Sequence, residues 1–363
     1  MASLFSPHLS KPSPLPLIRA SASAITVQSP PQSLEERFGR KGIKFSDSGD
    51  VPTVELTVRN GSSLRLRIPD GIVTSYKPKV YWKDEGFEEV LHTISDGVRG
   101  GSSVKGGLGL VLNDLSRDEA PWSASQWEVK DADSDSIDAV QVELRCTNGE
   151  GTLDITLVVS LYPLSMATAV IVQNIGTEPV KLNSAMLTHI RFKSRGGSAI
   201  QGLTGCSYCP QPPLPSSFGI LSPSEALEPD PPGWFSSLGS STQKKINTKT
   251  DDPEAWTVED NLYTTLRKKL SRVYTSPPLE RLKRIYRTPP SKYQTIDQGS
   301  GLGFRVIRIG GYEDIYLCSP GSSFKKYGKD YFICTGAASM LVPEILEPDS
   351  VWKAAQVIEH DNL

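Results

Sequence analysis

Short stretches in which apolar and polar residues alternate recur along this chain, and they constrain its fold more than any other feature. The first two stretches flank the turn residues Asn60-Gly61-Ser62, and their apolar members are Val54, Leu56, Val58, Leu64, Leu66 and Ile68. A period of two places alternate side chains on opposite faces of a strand, and an Asn-Gly turn joins the strands of a hairpin. The pattern therefore predicts an antiparallel hairpin with one buried face.

The same alternation returns in the middle of the chain and near its end. The middle stretches carry Val140, Val142 and Leu144, then Ile155, Leu157, Val159 and Leu161, then Ala169, Ile171 and Gln173. Further strands are predicted over residues 304–309, 315–317, 331–334 and 352–358. The 30 Gly and 28 Pro supply the many turns that such strands need. We expect an all-β protein, built as antiparallel sheets packed face to face.

The overall charge argues against a nucleic-acid-binding protein. The 363 residues include 39 Lys and Arg against 41 Asp and Glu, which gives a formal net charge of −2. Dedicated nucleic-acid binders usually carry a large basic excess. The uncharged segment 155–172 is interrupted by polar residues and by Pro163, so we expect two strands there and no transmembrane helix. Any membrane association is then expected to be peripheral or through partners.

The first 34 residues have the composition of an import signal. They contain no acidic residue, are rich in Ser and Pro, and carry only Lys11 and Arg19 as strong bases. Such a composition predicts a chloroplast transit peptide and a disordered start, with cleavage near residues 20–24. A merely disordered tail is the alternative. We expect the folded domain to span residues 51–363.

Five cysteines form an odd set without the spacing of a disulfide framework. Cys206 and Cys209 make a single CxxC pair, and Pro residues follow it in place of a helix. An isolated pair is weak evidence for a metal or redox site. We therefore expect no metal and no cofactor, and the sequence leaves open whether the two thiols pair.

The segment 210–295 differs in composition from the strands around it and is predicted to be a Pro-rich, partly helical insertion. Thr257 and Asp260 have the spacing of a capping box. Apolar residues follow at helical spacing, namely Leu262, Leu266, Leu270 and Val273. The pattern predicts a helix there and a second short helix around residues 279–286, after Pro277-Pro278.

The insertion also concentrates basic residues. Its predicted docking residues are Arg267, Lys268, Lys269, Arg272, Arg281, Lys283, Arg284 and Arg287. Glu280 is the acidic residue that lies among them. Such a cluster can face nucleic acid, an anionic membrane or an acidic protein, and a solvated helix face is the alternative. We favour docking to a partner protein and expect no nucleic acid to bind.

An ordered set of motifs resembles the galactose-mutarotase superfamily, especially its hexose-6-phosphate epimerase branch. The motifs lie at residues 99–101, 127–129, 171–179, 189–192, 202–208, 332–338 and 346–352, and the resemblance covers about residues 51–356. It implies a large twisted antiparallel β-sandwich. Enzymes of this family open and reclose a sugar ring, which needs a base for the anomeric hydroxyl and an acid for the ring oxygen.

The resemblance also implies that the catalytic groups have been lost. The position of the family's glutamate base reads Gly336, Cys209 replaces an acidic residue, and Glu119 begins the stretch that replaces a histidine and an arginine. Only His189 and Arg99 keep the family's residue type. We therefore expect a remnant cleft without catalysis. Two alternatives stay open: an active hexose-6-phosphate mutarotase that uses Glu119 and His189, and a sugar-phosphate-binding module anchored by Arg99.

Three segments resemble, more narrowly, the mutarotase-like accessory subunits in subcomplex B of the chloroplast NADH dehydrogenase-like (NDH) complex. They are residues 314–321, residues 346–356 and the basic insertion. This resemblance implies a structural and assembly subunit with neither cofactor nor small-molecule substrate, which supports cyclic electron flow around photosystem I. Its implied partners are the other subcomplex B subunits and, through the assembly, photosystem I. Its implied place is the stromal side of the thylakoid membrane, as a peripheral protein.

Overall fold

The computed structural model describes residues 32–47, 51–81, 86–95, 103–116, 122–135, 138–228, 256–283 and 286–362. The predicted transit peptide, apart from residues 32–34, and the stretch 229–255 of the predicted insertion lie outside the described residues. From Ser33 onward the described chain belongs to one compact unit. It is mostly antiparallel β-structure, so the predicted all-β class is confirmed.

The described elements follow one another as short strands with few helices. The strands of the first half are β1 (Ile43–Ser46), β2 (Thr53–Thr57), β3 (Ser63–Arg67), β4 (Ile72–Lys77), β5 (Thr93–Ser95), β6 (Val104–Gly106), β7 (Leu108–Asp114), β8 (Trp122–Ser123), β9 (Glu128–Asp135), β10 (Ala139–Thr147), β11 (Leu153–Leu161) and β12 (Ser165–Asn174). Those of the second half are β13 (Val180–Phe192), β14 (Ser198–Gln201), β15 (Ser207–Pro210), β16 (Thr257–Val258), β17 (Tyr263–Thr265), β18 (Leu270–Tyr274), β19 (Lys292–Asp297), β20 (Leu302–Ile309), β21 (Asp314–Ser319), β22 (Tyr331–Leu346) and β23 (Val351–Asn362). The α-helices are α1 (Leu34–Phe38), α2 (Pro223–Leu227) and α3 (Pro278–Leu282), and 3-10 turns lie at Arg195–Gly197 and Gly321–Tyr327.

Two large sheets form a sandwich. The twelve-stranded sheet has the order β1-β2-β3-β4-β7-β13-β22-β21-β18-β15-β16, with β8 paired to β7. The nine-stranded sheet has the order β17-β14-β19-β20-β23-β12-β11-β10-β9. A separate pair is made by β5 and β6. Because β1 pairs with β2, the sandwich includes residues before Val51, where the predicted domain begins.

The alternating stretches bury their apolar face between the two sheets. The predicted hairpin forms as β2 and β3 on either side of the turn, and Val54, Leu56 and Leu66 are fully buried. From the other sheet, Leu144 and Leu157 join the same core. Burial of apolar surface at about 25 cal/mol per Å² is the main force that holds the sheets together.

In β12 the prediction chose the wrong face. The predicted residues Ala169, Ile171 and Gln173 are partly or largely exposed. The core side of the strand carries Met166, Thr168, Val170 and Val172. Both faces of this strand are largely apolar, so the sequence offers little contrast between them. Met166, Val170 and Val172 fill the space between the sheets, and Ile171 lies on the opposite face.

The helix predicted at Leu262–Val273 is wrong. That stretch forms β17 and β18, and Thr257–Val258, which belongs to the predicted capping box, is strand β16. Tertiary contacts override the local spacing, because β18 is hydrogen-bonded between β15 and β21. The second predicted helix exists as α3, but it ends at Leu282, before Tyr286.

The uncharged segment 155–172 forms β11, a turn and β12, as predicted. Among the described helices, none has the length and apolar character needed to cross a bilayer.

Candidate functional site

Three of the predicted cleft positions meet on one face of the twelve-stranded sheet. On β22, the Thr335 hydroxyl contacts the Tyr293 hydroxyl of the nine-stranded sheet at 2.6 Å, so Thr335 points into the sandwich. Its neighbours Cys334 and Gly336 therefore lie on the other side, which we call the outer face. Register places His189 opposite Cys334 on this face.

Gly336 and Cys209 belong to the same face. Gly336 is flanked across the strands by Leu187 and Tyr316. Val273 connects the two ends of the row, because it lies opposite Tyr316 on one side and opposite Cys209 on the other. Tertiary structure thus brings together residues that are up to 147 positions apart in the sequence, from His189 to Gly336. Arg99 and Glu119 lie outside the described residues.

The outer face is covered by the chain itself. The cover segment, residues 211–227, lays three nearly fully buried side chains on the sheet, namely Phe218, Ile220 and Leu221. The Phe218 ring meets the His189 ring edge-on, with centroids 6.1 Å apart. The Gly106 amide donates to the Phe218 carbonyl at 2.6 Å. A Cβ at residue 109 would lie 2.8 Å from the Phe218 ring, so Gly109 makes room for it.

Both ends of the cover segment are anchored. At its start, the Ser271 hydroxyl donates to the Gln211 carbonyl at 2.5 Å. At its end, Ser222 and Glu225 form a capping box on α2. Lys326 contacts the Glu225 carboxylate at 2.5 Å, and Lys269 donates to the Glu225 carbonyl at 2.9 Å. The hydrogen bond from Lys326 is the main cause that lowers the pKa of Glu225 to about 2.

Little space remains under the cover segment. The residual cavity has a volume of about 10 Å³, and its lining includes Leu187, His189, Pro213 and Tyr316. A single water molecule needs about 10–15 Å³, and sites for small-molecule ligands usually enclose about 300–1,000 Å³. Among the described residues, the space between the cover segment and the outer face has no room for a sugar ring.

His189 is a buried structural residue in this arrangement. Its side chain is 1% exposed, and its Nδ1 donates to the Gly107 carbonyl at 3.1 Å, which places the ring proton on Nδ1. Burial lowers the pKa of His189 to about 4, so the ring is neutral at pH 7. The one proton of the neutral ring is held by the Gly107 carbonyl, so the ring lacks the acidic second proton that a general acid would give to a sugar oxygen.

A second histidine, which the sequence did not assign to the cleft, lies beside the first. The His92 ring stacks on Phe332 with centroids 4.7 Å apart, and its Nε2 donates to the Tyr327 carbonyl at 3.0 Å. Its Nδ1 has no hydrogen-bond partner among the described groups. Burial lowers the pKa of His92. No local motif around His92 signals this position, because β-strand pairing alone brings it there.

Gly336 cannot be replaced by a residue with a side chain unless the backbone moves. A Cβ built at this position would overlap the Met186 carbonyl oxygen and would lie 3.0 Å from the Gln356 side-chain oxygen. The β13 backbone and the Gln356 side chain are therefore packed against the place that a side chain at position 336 would occupy.

The CxxC cysteines are both free thiols. Cys209 is buried on β15, and burial raises its pKa to about 12. Cys206 is half-buried, and burial also raises its pKa. Across the described ranges, no three His, Cys, Asp or Glu side chains are grouped closely enough to hold a metal ion.

The predicted docking residues separate into internal and exposed groups. Arg272 pairs with the buried Glu259 at 3.0 Å and lies over the Tyr208 ring. Arg281 pairs with the buried Asp314, and both arginines therefore hold the fold together. Lys269 is half-buried and donates to the Glu225 carbonyl. The exposed members are Arg267, Lys268, Lys283 and Arg287. Arg284 lies outside the described residues.

The exposed members occupy different parts of the surface. Arg267 borders a depression next to β14 and β17. Arg287 lines another depression, of about 890 Å³, beside β15 and α3. The predicted run of positive charge is thus not one continuous stripe, and its docking role stays a prediction.

Comparison with known proteins gives one curated relative. The protein named NDH-dependent cyclic electron flow 5, from Arabidopsis thaliana, is 26% identical over 331 residues, which cover 91% of this chain and 82% of the relative. No family model matches the chain.

Solved structures give the fold. YeaD of Salmonella typhimurium, a mutarotase-type protein by its description, superimposes with a TM-score of 0.62 at 12% identity, over 89% of this chain and 95% of its own. A galactose mutarotase-like protein from Clostridium acetobutylicum gives a TM-score of 0.55 at 10% identity, over 89% of this chain and all of its own. The predicted galactose mutarotase-like β-sandwich is therefore confirmed.

Proposed function

We propose that this chain is a non-catalytic structural subunit of the chloroplast NDH complex, within subcomplex B, and that it supports cyclic electron flow around photosystem I. The proposal draws on the relative from Arabidopsis, whose name refers to NDH-dependent cyclic electron flow and which matches 91% of the chain. The acid-free, Ser-rich start of the sequence adds support for a plastid protein.

One observation carries the non-catalytic part: the cover segment fills the outer face. Ring opening needs a base and an acid within hydrogen-bond reach of a bound sugar. At this face the cavity holds about 10 Å³, and position 336 is closed to any side chain by Met186. His189 is buried and neutral. These features argue against an active mutarotase and against a sugar-phosphate-binding module at the same place.

A covered sandwich suits a scaffold. Two large sheets give a rigid body, and rigid surfaces lose little entropy on binding. Exposed bases can pair with acidic groups on neighbouring subunits, and such pairs fix the orientation of binding and raise the association rate. These bases are Arg267, Lys268, Lys283 and Arg287. We propose that these contacts hold the protein at the stromal side of the thylakoid membrane without a membrane-spanning segment.

Affinity purification tests the proposed role. The full chain with a carboxyl-terminal tag is expressed in chloroplasts, thylakoids are solubilised in mild detergent, and co-purifying proteins are identified by mass spectrometry. We expect NDH subunits to co-purify, and the chain to migrate with the complex on native gels. A stromal enzyme with the same tag is the control. Purification of the chain alone, with the complex intact in the flow-through, contradicts the proposal.

Anomerisation of glucose 6-phosphate, followed by NMR with the purified chain, tests the non-catalytic part separately. We expect the rate of the buffer alone. An acceleration that disappears in His189→Ala contradicts the proposal.

A further inference from the structure

The nine-stranded sheet ends at β17, where the described part of the chain leaves its edge open. The Leu266 amide donates to the Ser198 carbonyl at 3.3 Å, just beyond the paired residues of β17 and β14. Hydrogen-bonded and non-hydrogen-bonded pairs alternate in an antiparallel ladder. Thr264 therefore bonds to β14, while the amide and carbonyl groups of Tyr263 and Thr265 point away from the sheet. They are spaced as a further strand would need.

Two other sheet edges are protected. At β1, the outward amide of Phe45 is taken by the Glu35 carboxylate of α1 at 2.6 Å. At β9, the exposed carboxylates of Asp131 and Asp133 discourage strand pairing. By contrast, β17 has the uncharged sequence Tyr-Thr-Thr, without proline. It lies next to the exposed Leu262, and Tyr263 is itself 46% exposed.

Positive charge surrounds this open edge. Arg267 and Lys268 follow β17 directly and are exposed, and Lys193 is exposed in the loop before β14. The two basic segments are held side by side, because Arg267 donates to the Gly196 carbonyl at 3.2 Å. Asp260 is an exposed acid in the same region. The local excess of bases favours an acidic ligand.

A depression of about 460 Å³ lies on the sheet face next to this edge, across β17, β14 and β19, and its lining includes Tyr263, Thr265, Arg267, Ile296 and Gln298. Strand addition combines backbone hydrogen bonds along an edge with pockets for alternate side chains. The edge, the depression and the bases thus offer the elements that this binding mode uses.

We propose that β17 and the flanking basic residues bind an extended, acidic segment of a partner protein, which adds a strand to the nine-stranded sheet. The segment runs alongside Tyr263–Thr265 and accepts contacts from Arg267 and Lys268. The inference rests on the proposed function in one respect only, that the partner is a protein of the same thylakoid assembly.

Site-specific photo-cross-linking gives a direct test. The full chain with Tyr263→p-benzoylphenylalanine is irradiated in solubilised thylakoids, and cross-linked peptides are sequenced. Tyr162, exposed on the turn between β11 and β12, lies five strands along the sheet, roughly 24 Å away, and serves as the matched control position. We expect an acidic peptide of another protein from position 263 and a different peptide, or none, from position 162.

The other outcomes overturn the proposal. They are a cross-link from position 263 to a lipid, to this chain itself or to a second copy of it, or no cross-link although the chain co-purifies with a complex.

Charge reversal supplies a second, quantitative test. In Arg267→Glu/Lys268→Glu we expect the amount of co-purifying protein to fall at least about tenfold, because the favoured contacts become repulsive. Lys44→Glu, at the edge strand β1 of the other sheet, is the matched control and should retain full recovery. Thermal unfolding within about 2 °C of the wild type verifies that the variants fold.

The failures of the two proposals differ. If the wild type and the double variant co-purify equally with NDH subunits, the docking inference is wrong and the proposed function stands. If the wild type cross-links to an acidic segment of a protein outside the NDH complex, the proposed function is wrong and the edge still binds as inferred.

Discussion

Acidification should destabilise this protein through His189, and the effect can be calculated from its environment. The ring is fully enclosed beneath Phe218, and its Nδ1 proton is held by the Gly107 carbonyl. The folded state therefore binds a second proton only near pH 4, whereas an exposed histidine binds it near 6.5. Below pH 6.5 the unfolded chain takes up a proton that the folded chain does not, so stability falls as the pH falls.

The magnitude follows from the difference between the two pKa values. That difference is about 2.5, and each pH unit between them contributes about 1.4 kcal/mol, which gives a loss of about 3 kcal/mol between pH 7 and pH 4. The stabilisation is complete above pH 6.5 and is lost as the pH falls toward 4. A domain whose total stability is about 5–15 kcal/mol will show such a loss clearly.

The assay is urea unfolding at pH 7 and at pH 4, for the wild type and for His189→Gln. The glutamine keeps a donor for the Gly107 carbonyl but cannot be protonated in this range. Other titrating groups, including His92, are present in both proteins, so the difference between their pH dependences isolates His189. We expect the wild type to lose about 3 kcal/mol more than the variant.

An NMR titration of the His189 ring gives an independent measurement. We expect the folded ring to titrate near pH 4. A midpoint near 6.5, or equal pH dependence in the two proteins, would refute the reasoning, because it would mean that the cover segment leaves the ring open to water.

Three further predictions concern packing. In Phe218→Ala, the loss of about 3 kcal/mol from the cover segment should accelerate hydrogen exchange of the Gly106 amide about 100-fold, as measured by NMR or mass spectrometry; an unchanged rate contradicts a fixed cover. Gly336→Ala should lower the free energy of unfolding by about 2 kcal/mol or more in urea titrations, because the added Cβ overlaps a carbonyl oxygen; neutral behaviour would show that the strands can separate there. Arg281→Ala should cost about 3–5 kcal/mol by leaving a buried carboxylate unpaired, while the exposed Arg267→Ala should cost less than about 0.5 kcal/mol; equal effects in thermal unfolding contradict the assignment of internal and exposed bases.

Local patterns predicted the structure correctly where apolar residues recur at every second position, which is the period of a β-strand. The hairpin of β2 and β3 was predictable because Val54, Leu56 and Leu66 alternate with polar residues and a turn signal lies between the strands. The same reasoning failed in β12, where both faces are largely apolar, and at Leu262–Val273, where apolar residues in β18 and beside β17 fall at helical spacing by coincidence. Period carries information only when the two faces differ.

The candidate site shows the same division. The sequence shows that position 336 is a glycine, without a titratable group. It also shows that a Pro-rich stretch carries apolar residues, of which Phe218 is one. It does not show that the Pro-rich stretch packs on the face of the sheet that carries His189. Phe218 comes to lie against His189 only because β7, β13 and β22 are neighbours in one sheet and the cover segment crosses them. Similarly, Arg272 and Arg267 look alike in sequence, and only the buried Glu259 beside one of them makes it structural.

The sequence by itself determined the all-β class and most strand positions, because strand alternation and turn chemistry are local properties of the chain. Tertiary structure alone decided which face of each sheet is open, which bases are neutralised internally and that the cover segment lies over the outer face. These outcomes depend on contacts between residues far apart in the chain, and the energy of such contacts comes from burial and pairing that no local pattern records.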